Sequence, residues 1–435
     1  MDYIPNTESE KKEMLKEIGV NDTLDLFKDI DKKLILKEPL KISGKLSEID
    51  VRKKIEGISK KNKIMKNFLG AGCYSHFIPS VVDHLISRSE FYTAYTPYQP
   101  EISQGALQSI FEFQTYICKL TGMDVANASM YDGSTALAEA AFMAHSITGK
   151  NKIIIPKTIH PEYRKVVETY CGMHNINCVE IDYNNGTIDI ENLKNEIDDN
   201  TAAVLVQNPN FFGCIEDIDE IEKFAREKKA LLVACVVEAA SLGILKPQNA
   251  DIVVGDIQSF GIPLSFGGPA SGFMAVKKEH MRKMPGRLVG QTVDADGKKG
   301  FILTLQAREQ HVRREKATSN ICTNSALMAL ASIVYLSMLG KQLKDLANIN
   351  LQKSHYAFEK LKQNFEILFS SIFFNEFVIK CNDSGKLISK MQENNIVPGL
   401  DLGKYYSELK NHLLVCVTEM HSKEDIDNFV ELMKE

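Results

Sequence analysis

Leu231-Leu232-Val233-Ala234-Cys235-Val236-Val237-Glu238 is followed by Ala250-Asp251-Ile252-Val253 and then by Gly255-Asp256-Ile257-Gln258-Ser259-Phe260-Gly261-Ile262-Pro263. Short apolar runs rich in β-branched residues read as buried strands, so Leu231–Val237 and Ile252–Gly255 are strands. Outward from them the same alternation continues. Lys152–Pro156, Cys178–Asp182 and Ala202–Val206 read as strands, Phe273–Val276 as another, with helices over Pro161–Met173, Ile190–Ile197 and Asp217–Lys228 between them. Pro161 suits a first helical position. Strands alternating with helices predict an α/β fold with a mostly parallel central sheet, and ligands of such folds sit at the carboxyl ends of the strands.

Residues 1–66 read as helices with one-sided apolar stripes (Met14, Leu15, Ile18; then Leu24, Leu26, Phe27, Ile30), Asn21 standing as an N-cap and Lys53–Lys66 following. This is an arm that packs on another surface. Residues 67–110 are punctuated by Gly and Pro, and Tyr92–Glu101 cannot be regular helix because each proline biases its predecessor to extended geometry. Helices are expected from Ser109 to Leu120, from Gly133-Ser134-Thr135 to about Ile147, from about Asn324 to Gly340, and on through Phe365. The chain ends as strand Leu413–Val417 and helix Lys423–Met433. The domains expected are a helical arm (1–66), a large α/β domain (67–325) and a smaller α+β domain (326–435).

The 435 residues, 44% hydrophobic and 25% charged, exceed what one core usually holds. A net charge of -5 gives no support to nucleic-acid binding. The nine cysteines include no CxxC pair and no zinc-ligand spacing, and read as reduced thiols of a cytoplasmic protein. The N-terminus is polar and charged, unlike a secretory signal, and no apolar run approaches the ~20 residues of a membrane span.

Gly133-Ser134-Thr135 opens a helix, where free N–H groups, helix dipole and hydroxyls suit a phosphate, although such residues are more often simple caps. A pyridoxal-phosphate (PLP) enzyme of the aspartate-aminotransferase fold needs four groups in chain order: a phosphate-binding helix start, a ring-stacking group, an acid for the pyridine nitrogen, and a Schiff-base lysine. Ser134 and Thr135, His160, and Glu238 stand at the first three places, Glu238 as an approximate match. The fourth place, after Ile252-Val253, holds Ser259, and no lysine lies between Lys246 and Lys277. Without that amine the covalent anchor is lost. The cofactor is then either absent or anchored on another chain.

Phe68-Leu69-Gly70-Ala71-Gly72-Cys73-Tyr74, Tyr95-Thr96-Pro97-Tyr98-Gln99-Pro100-Glu101-Ile102-Ser103-Gln104-Gly105, Tyr131–Ala136, Pro209–Gly213, Arg287–Thr292, and Leu303–His311 continuing to Thr323 closely resemble the P-protein family of the glycine cleavage system. The strings are ordered from about Tyr3 to about Thr323, with weaker similarity to the end. The resemblance implies the fold type I PLP transferase fold and the lysine-less N-terminal-half type, subunit 1. It further implies a subunit 2 whose His-Lys pair falls on Gln258-Ser259 here and which holds PLP covalently. The two would pair as a heterotetramer of two of each. The implied activity is that of an oxidoreductase, glycine dehydrogenase (decarboxylating): glycine loses carbon dioxide and its aminomethyl group passes to the lipoyl arm of the H-protein.

Active sites of this fold borrow loops across the dimer interface. Tyr95, Tyr98 and Glu101 on one loop, and His311, Arg313 and Arg314 on another, are therefore the candidate catalytic groups, the arginines suited to a carboxylate or phosphate. Thr318, Ser319 and Asn320 are the candidates for reaching the partner's PLP. Ser134, Thr135, His160 and Glu238 would be relics of an ancestral pocket. Two other readings stay open: a stand-alone aminotransferase-like enzyme using Lys246 or Lys277, and a catalytically dead structural or regulatory partner.

Overall fold

The computed structural model describes residues 6–38, 40–308, 310–317 and 319–434. They form two compact units, Met1–Lys63 and Ile64–Glu435. In the first, α1 (Glu8–Ile18) starts on a Thr7–Glu10 capping box and stops at Gly19, whose φ of 81° needs no Cβ penalty. A single 3-10 turn, Thr23–Phe27, follows, and then α2 (Glu48–Ser59), capped by Ser47. The cap of the 3-10 turn is Asp22 rather than Asn21. Asp22 Oδ1 accepts from Leu24 N–H (2.8 Å), while the N–H of Asn21 itself is taken by Asp25. No described residue of this unit is buried.

In the second unit, seven strands form one sheet: β1 (Val125–Ala126), β2 (Lys152–Pro156), β3 (Asn177–Ile181), β4 (Thr201–Gln207), β5 (Leu231–Val236), β6 (Ile252–Asp256) and β7 (Gly272–Val276). Their order is β1-β7-β6-β5-β4-β2-β3. All pairs from β6 to β3 are parallel, and β7 runs antiparallel to both neighbours. Central parallel strands are covered on both faces, so β4 is buried at every position. Alternate residues feed two cores. Val204, Val206, Ala234, Val236 and Val253 face one, and Ala203, Leu205, Val233, Cys235, Ile252 and Val254 face the other.

Helices cover each face. α3 (Gln104–Thr121), α6 (Ile218–Glu227) and α7 (Ala326–Leu339) supply the first core, and α4 (Gly133–Thr148) and α5 (Pro161–Met173) the second. A hairpin, β8 (Leu288–Val293) with β9 (Lys299–Thr304), packs on α3. α7 continues into α8 (Leu343–Leu361), and this stretch is long and apolar enough to cross a membrane by composition. Every residue from Met328 to Leu336 is buried in the protein interior, which is how a core helix reads.

The C-terminal sheet, β10 (Glu366–Ile367), β11 (Glu376–Lys380), β12 (Leu400–Asp401) and β13 (His412–Cys416), is antiparallel in the order β10-β11-β13-β12, followed by α9 (Lys423–Lys434). Lys66–Asn67 adds beside Ile396–Val397, and Phe68 stacks between Phe429 (3.9 Å) and His421 (4.3 Å). The chain leaves this core at Gly70 and reaches the carboxyl ends of the large sheet by Tyr74, whose N–H meets Gln258.

Candidate active site

Ser134 and Thr135, His160, Glu238 and Ser259 lie at the start of α4 and after the carboxyl ends of β2, β5 and β6. At the first three of these places the polar atoms are already engaged. Asp132 Oδ1 accepts from Thr135 N–H (2.7 Å) and Ser134 Oγ–H (2.6 Å). Gly133 N–H donates to Asp256 Oδ2 (3.2 Å), and a Cβ at Gly133 would come within 2.5 Å of Tyr163 Oη. His160 Nε2 meets the Ala71 carbonyl (2.9 Å), and its Nδ1 accepts from Glu162 N–H (3.2 Å). Burial pushes the His160 pKa down, against the pull of that carbonyl. The Gly70–Tyr74 segment thus lies against His160, and Gly72 (φ 98°) approaches the ring so closely that a Cβ there would sit 3.0 Å from it.

Glu238 is held on both oxygens. Oε1 accepts from Ala240 N–H (2.8 Å), and Oε2 faces His76 Nε2 (3.2 Å), while His76 Nδ1 faces Glu419 (2.8 Å). The His76 and Glu238 side chains are each 2% exposed. Burial alone would lower the His76 pKa. The two carboxylates outweigh it and raise it to about 10, so the ring is a buried imidazolium. Beside this triad, burial lifts Glu376 to about 8, and its oxygens accept from Ala71 N–H (2.6 Å) and face the Tyr74 hydroxyl (2.9 Å).

Gln258 fastens the remaining side: Oε1 accepts from Tyr74 N–H (2.8 Å), and Nε2 donates to the carbonyls of Tyr74 (3.0 Å) and Ile262 (2.9 Å). Ser259 is 1% exposed and its Oγ has no hydrogen-bond partner.

These residues do not fit a PLP of this chain's own. The amine is missing. The N–H groups that would cradle a phosphate dianion already face two carboxylates, Asp132 and Asp256. Burial raises Asp256 to about 7, so it carries much of its charge at neutral pH. Negative charge at a helix start satisfies the dipole and repels a second anion.

The borrowed-loop candidates lie on a different surface. Tyr95 is 75% exposed and lines an open cleft of about 350 Å³ with Ala94, Thr96, Pro269 and the start of α7. Thr96 Oγ1 meets Thr323 Oγ1 (3.3 Å), so the Tyr95–Ser103 loop and the segment after Asn320 form one face. Tyr98 receives a hydrogen bond from Arg287 Nη2 (2.7 Å) and lies under that guanidinium at 5.3 Å. Glu101 is exposed on the short turn Pro100–Ile102. Arg313 and Arg314 are exposed, and Arg313 lines another cleft with Arg282, Leu305 and Ala307. Thr318 and the side chain of His311 lie outside the described residues. Among the described residues no group of three or more His, Cys, Asp or Glu could hold a metal.

Sequence reasoning missed Arg287, Gln258, Tyr131 and Glu139. Glu139 had a readable signal. It is the one charge within Ala136–Met143, and a carboxylate on a buried apolar helix needs a partner.

The architecture is that of the PLP-dependent transferases of fold type I. Sphingosine-1-phosphate lyase from Burkholderia pseudomallei shares it at TM-score 0.66 over 92% of each chain, with 13% identity, which speaks for the fold alone. An aspartate aminotransferase from Thermus thermophilus shares it at 0.60 and 12% identity, covering 85% of this chain and 98% of that one. Within that class the match is specific. The model of the glycine cleavage system P-protein family matches residues 1–433, and the chain belongs to that family.

Two relatives named "Probable glycine dehydrogenase (decarboxylating) subunit 1" are similar over nearly their whole length. The one from Bacillus mycoides is 53% identical over 99% of this chain and 98% of its own. The one from Carboxydothermus hydrogenoformans is 52% identical over 100% and 99%. A crystal structure of glycine decarboxylase (P-protein) of the glycine cleavage system, in inhibitor-bound form, superposes at TM-score 0.90 with 41% identity, covering 100% of this chain and 99% of that one.

Proposed function

We propose that this chain is the lysine-less subunit of a two-chain glycine decarboxylase, and that it lends a face to a PLP held covalently by its lysine-bearing partner, subunit 2. The observation that carries this reading is the contrast just described. The cup is closed by Asp132, Asp256 and Gln258, while Tyr95 and Thr96 stand on an open cleft and Tyr98 is exposed beside them on the same loop. Bound on the partner, PLP supplies the electron sink for the carbanion left when glycine loses carbon dioxide. This chain supplies groups around the reacting atoms. The phenols of Tyr95 and Tyr98 and the carboxylate of Glu101 orient glycine and handle protons, with Arg287 fixing the Tyr98 ring. Thr318, Ser319 and Asn320 approach the partner's PLP phosphate, and His311 and Arg313 serve an anionic group of substrate or cofactor. The relics Ser134, Thr135, His160 and Glu238 keep the closed cup folded.

The assembly is two copies of each subunit in the cytoplasm. The aminomethyl product passes to the lipoyl arm of the H-protein. Nine free thiols agree with a reducing setting.

The test is glycine-dependent exchange of labelled carbon dioxide. The isolated chain is expected to give none and no PLP absorbance band. Mixing with the lysine-bearing subunit restores both. Exchange by the chain alone, or a band fixed by borohydride on Lys246 or Lys277, overturns the proposal.

A further inference from the structure

Segment 319–325 is fastened from beneath along its whole length. Ile321 N–H turns back to Ser319 Oγ (3.0 Å). The Tyr131 phenol oxygen accepts from Cys322 N–H (2.9 Å) and Thr323 N–H (3.4 Å). Asn324 Nδ2 donates to the Ala128 carbonyl (3.2 Å), and Ser325 N–H to Ser129 Oγ (2.9 Å). Glu139, in the second turn of α4, faces the same segment: burial raises its carboxyl pKa to about 7, and the Ser319 side chain and Asn320 backbone pull it down. Asn320 and Cys322 remain exposed on the other side.

Two of these fasteners are not what packing alone would select. Glu139 is 2% exposed on a helix where Leu137, Ala138, Ala140 and Ala141 are all buried. Burying a carboxylate there is unfavourable unless neighbouring polar groups offset it, and the groups that favour its charged form are the Ser319 side chain and the Asn320 backbone. Tyr131 precedes Asp132 and Gly133, the helix start where other enzymes of this fold hold a phosphate. Here its hydroxyl oxygen holds backbone.

We infer that Tyr131 and Glu139 are positioning residues for the partner-held cofactor: the former phosphate-cup segment and its helix have become the bracket that fixes the crossing segment 319–325. The inference rests on the proposed reach of Thr318–Asn320 across the interface, and deepens it by naming what holds that reach in place. It accounts for a polar pair kept beside a cup that no longer takes a ligand. Loss of either oxygen frees two adjacent backbone or hydroxyl donors of the segment, and a loosened segment contributes less to a site that depends on sub-ångström placement.

The experiment uses the complex reconstituted from both subunits and PLP. PLP dissociation is followed by its absorbance band, the exchange reaction by kcat and KM for glycine, and folding by Tm. Tyr131→Phe and Glu139→Ala are each expected to weaken PLP retention about tenfold. The Tm of the Tyr131→Phe chain should stay close to that of the unaltered protein. Glu139→Gln, which keeps an acceptor oxygen, restores most of the loss. Thr318→Ala separates the two levels of argument. If it weakens retention while Tyr131→Phe and Glu139→Ala stay within about twofold of the unaltered complex, the bracket is wrong and the crossing reach stands. If Thr318→Ala itself changes nothing, the reach fails and the bracket with it. Should Glu139→Ala not fold, Tyr131→Phe decides, since it removes a single oxygen from a half-buried ring.

Discussion

The closed cup and the open face around Tyr95 belong to one chain and have opposite characters. The cup is buried or half-buried, and the polar groups described in it, the Ser259 hydroxyl aside, bond within the molecule. Asp132 caps its own helix, Glu238 and Glu419 share the His76 imidazolium, and Gln258 ties down Tyr74. The open face leaves Tyr95, Glu101 and Asn320 exposed, and the backbone next to them is held by Gln104, which donates to the Pro100 carbonyl, and by Tyr131. Satisfied polar groups make structure, and exposed ones on a held backbone make a site. The difference predicts that substitutions in the cup act on stability and substitutions on the face act on activity.

The largest effect is expected inside the cup. His76→Ala leaves Glu238 and Glu419 buried without their cation, at a cost of about 3–5 kcal/mol in chemical denaturation. The sign of its pH dependence is fixed. The folded His76 pKa lies near 10, above its usual 6.5, so the stability it lends is full below 6.5 and drains away as pH rises from there through about 10. The penalty of His76→Ala should shrink over that range, and a penalty that grows would contradict a buried imidazolium.

On the face, Tyr95→Phe and Glu101→Gln should each reduce exchange by the complex on the order of a hundredfold, with stability within about 0.5 kcal/mol of the unaltered chain. Full activity in both would favour the purely structural reading of this subunit.

A smaller effect separates Glu376 from its neighbours. Its neutral form is stabilised by burial, so the stability it lends is complete below 4.5 and is lost as pH climbs from 4.5 through about 8. Glu376→Gln mimics the neutral carboxyl, and should flatten the fall in stability between pH 6 and 8 by about 1–2 kcal/mol. Equal slopes in the two proteins would mean the carboxyl is already ionised. The smallest effect belongs to Ser259→Ala, which removes an unpartnered buried hydroxyl and should raise stability by about 1 kcal/mol without altering the activity of the complex.

The layered architecture was legible because parallel strands buried on both faces write themselves as continuous apolar runs. Helix Pro161–Met173 begins and ends where its proline and periodicity place it, and β3 lies one residue earlier than the run Cys178–Asp182 suggests. The hairpin around Asp294–Gly297 passed unnoticed although Asp-Gly between alternating apolar residues is a strong turn signal. Ser134, His160, Glu238 and Ser259 were placed by the chain order that a PLP fold requires, each relative to a strand end or a helix start. What could not be read was how completely they satisfy one another. That depends on Gly70–Tyr74 and Glu376, which arrive from segments far away in the chain and whose side chains carry no periodic mark. Arg287 was hidden for a similar reason: its role lies in the Tyr98 ring, 189 positions away.

Gln258 has a consequence for anyone trying to turn this subunit back into a self-sufficient catalyst. Its three bonds to Tyr74 and Ile262 pin the loop next to position 259, where the side chain is 1% exposed. Ser259→Lys is therefore expected to give no working enzyme. Recovery would demand simultaneous changes at Asp132, Asp256, Gln258 and Ser259, each harmful or idle without the others. Such interdependence makes division of labour hard to reverse. Under the proposed two-chain reading, a cell that carries the chain must produce both polypeptides in balance, because surplus copies of this one would be inert.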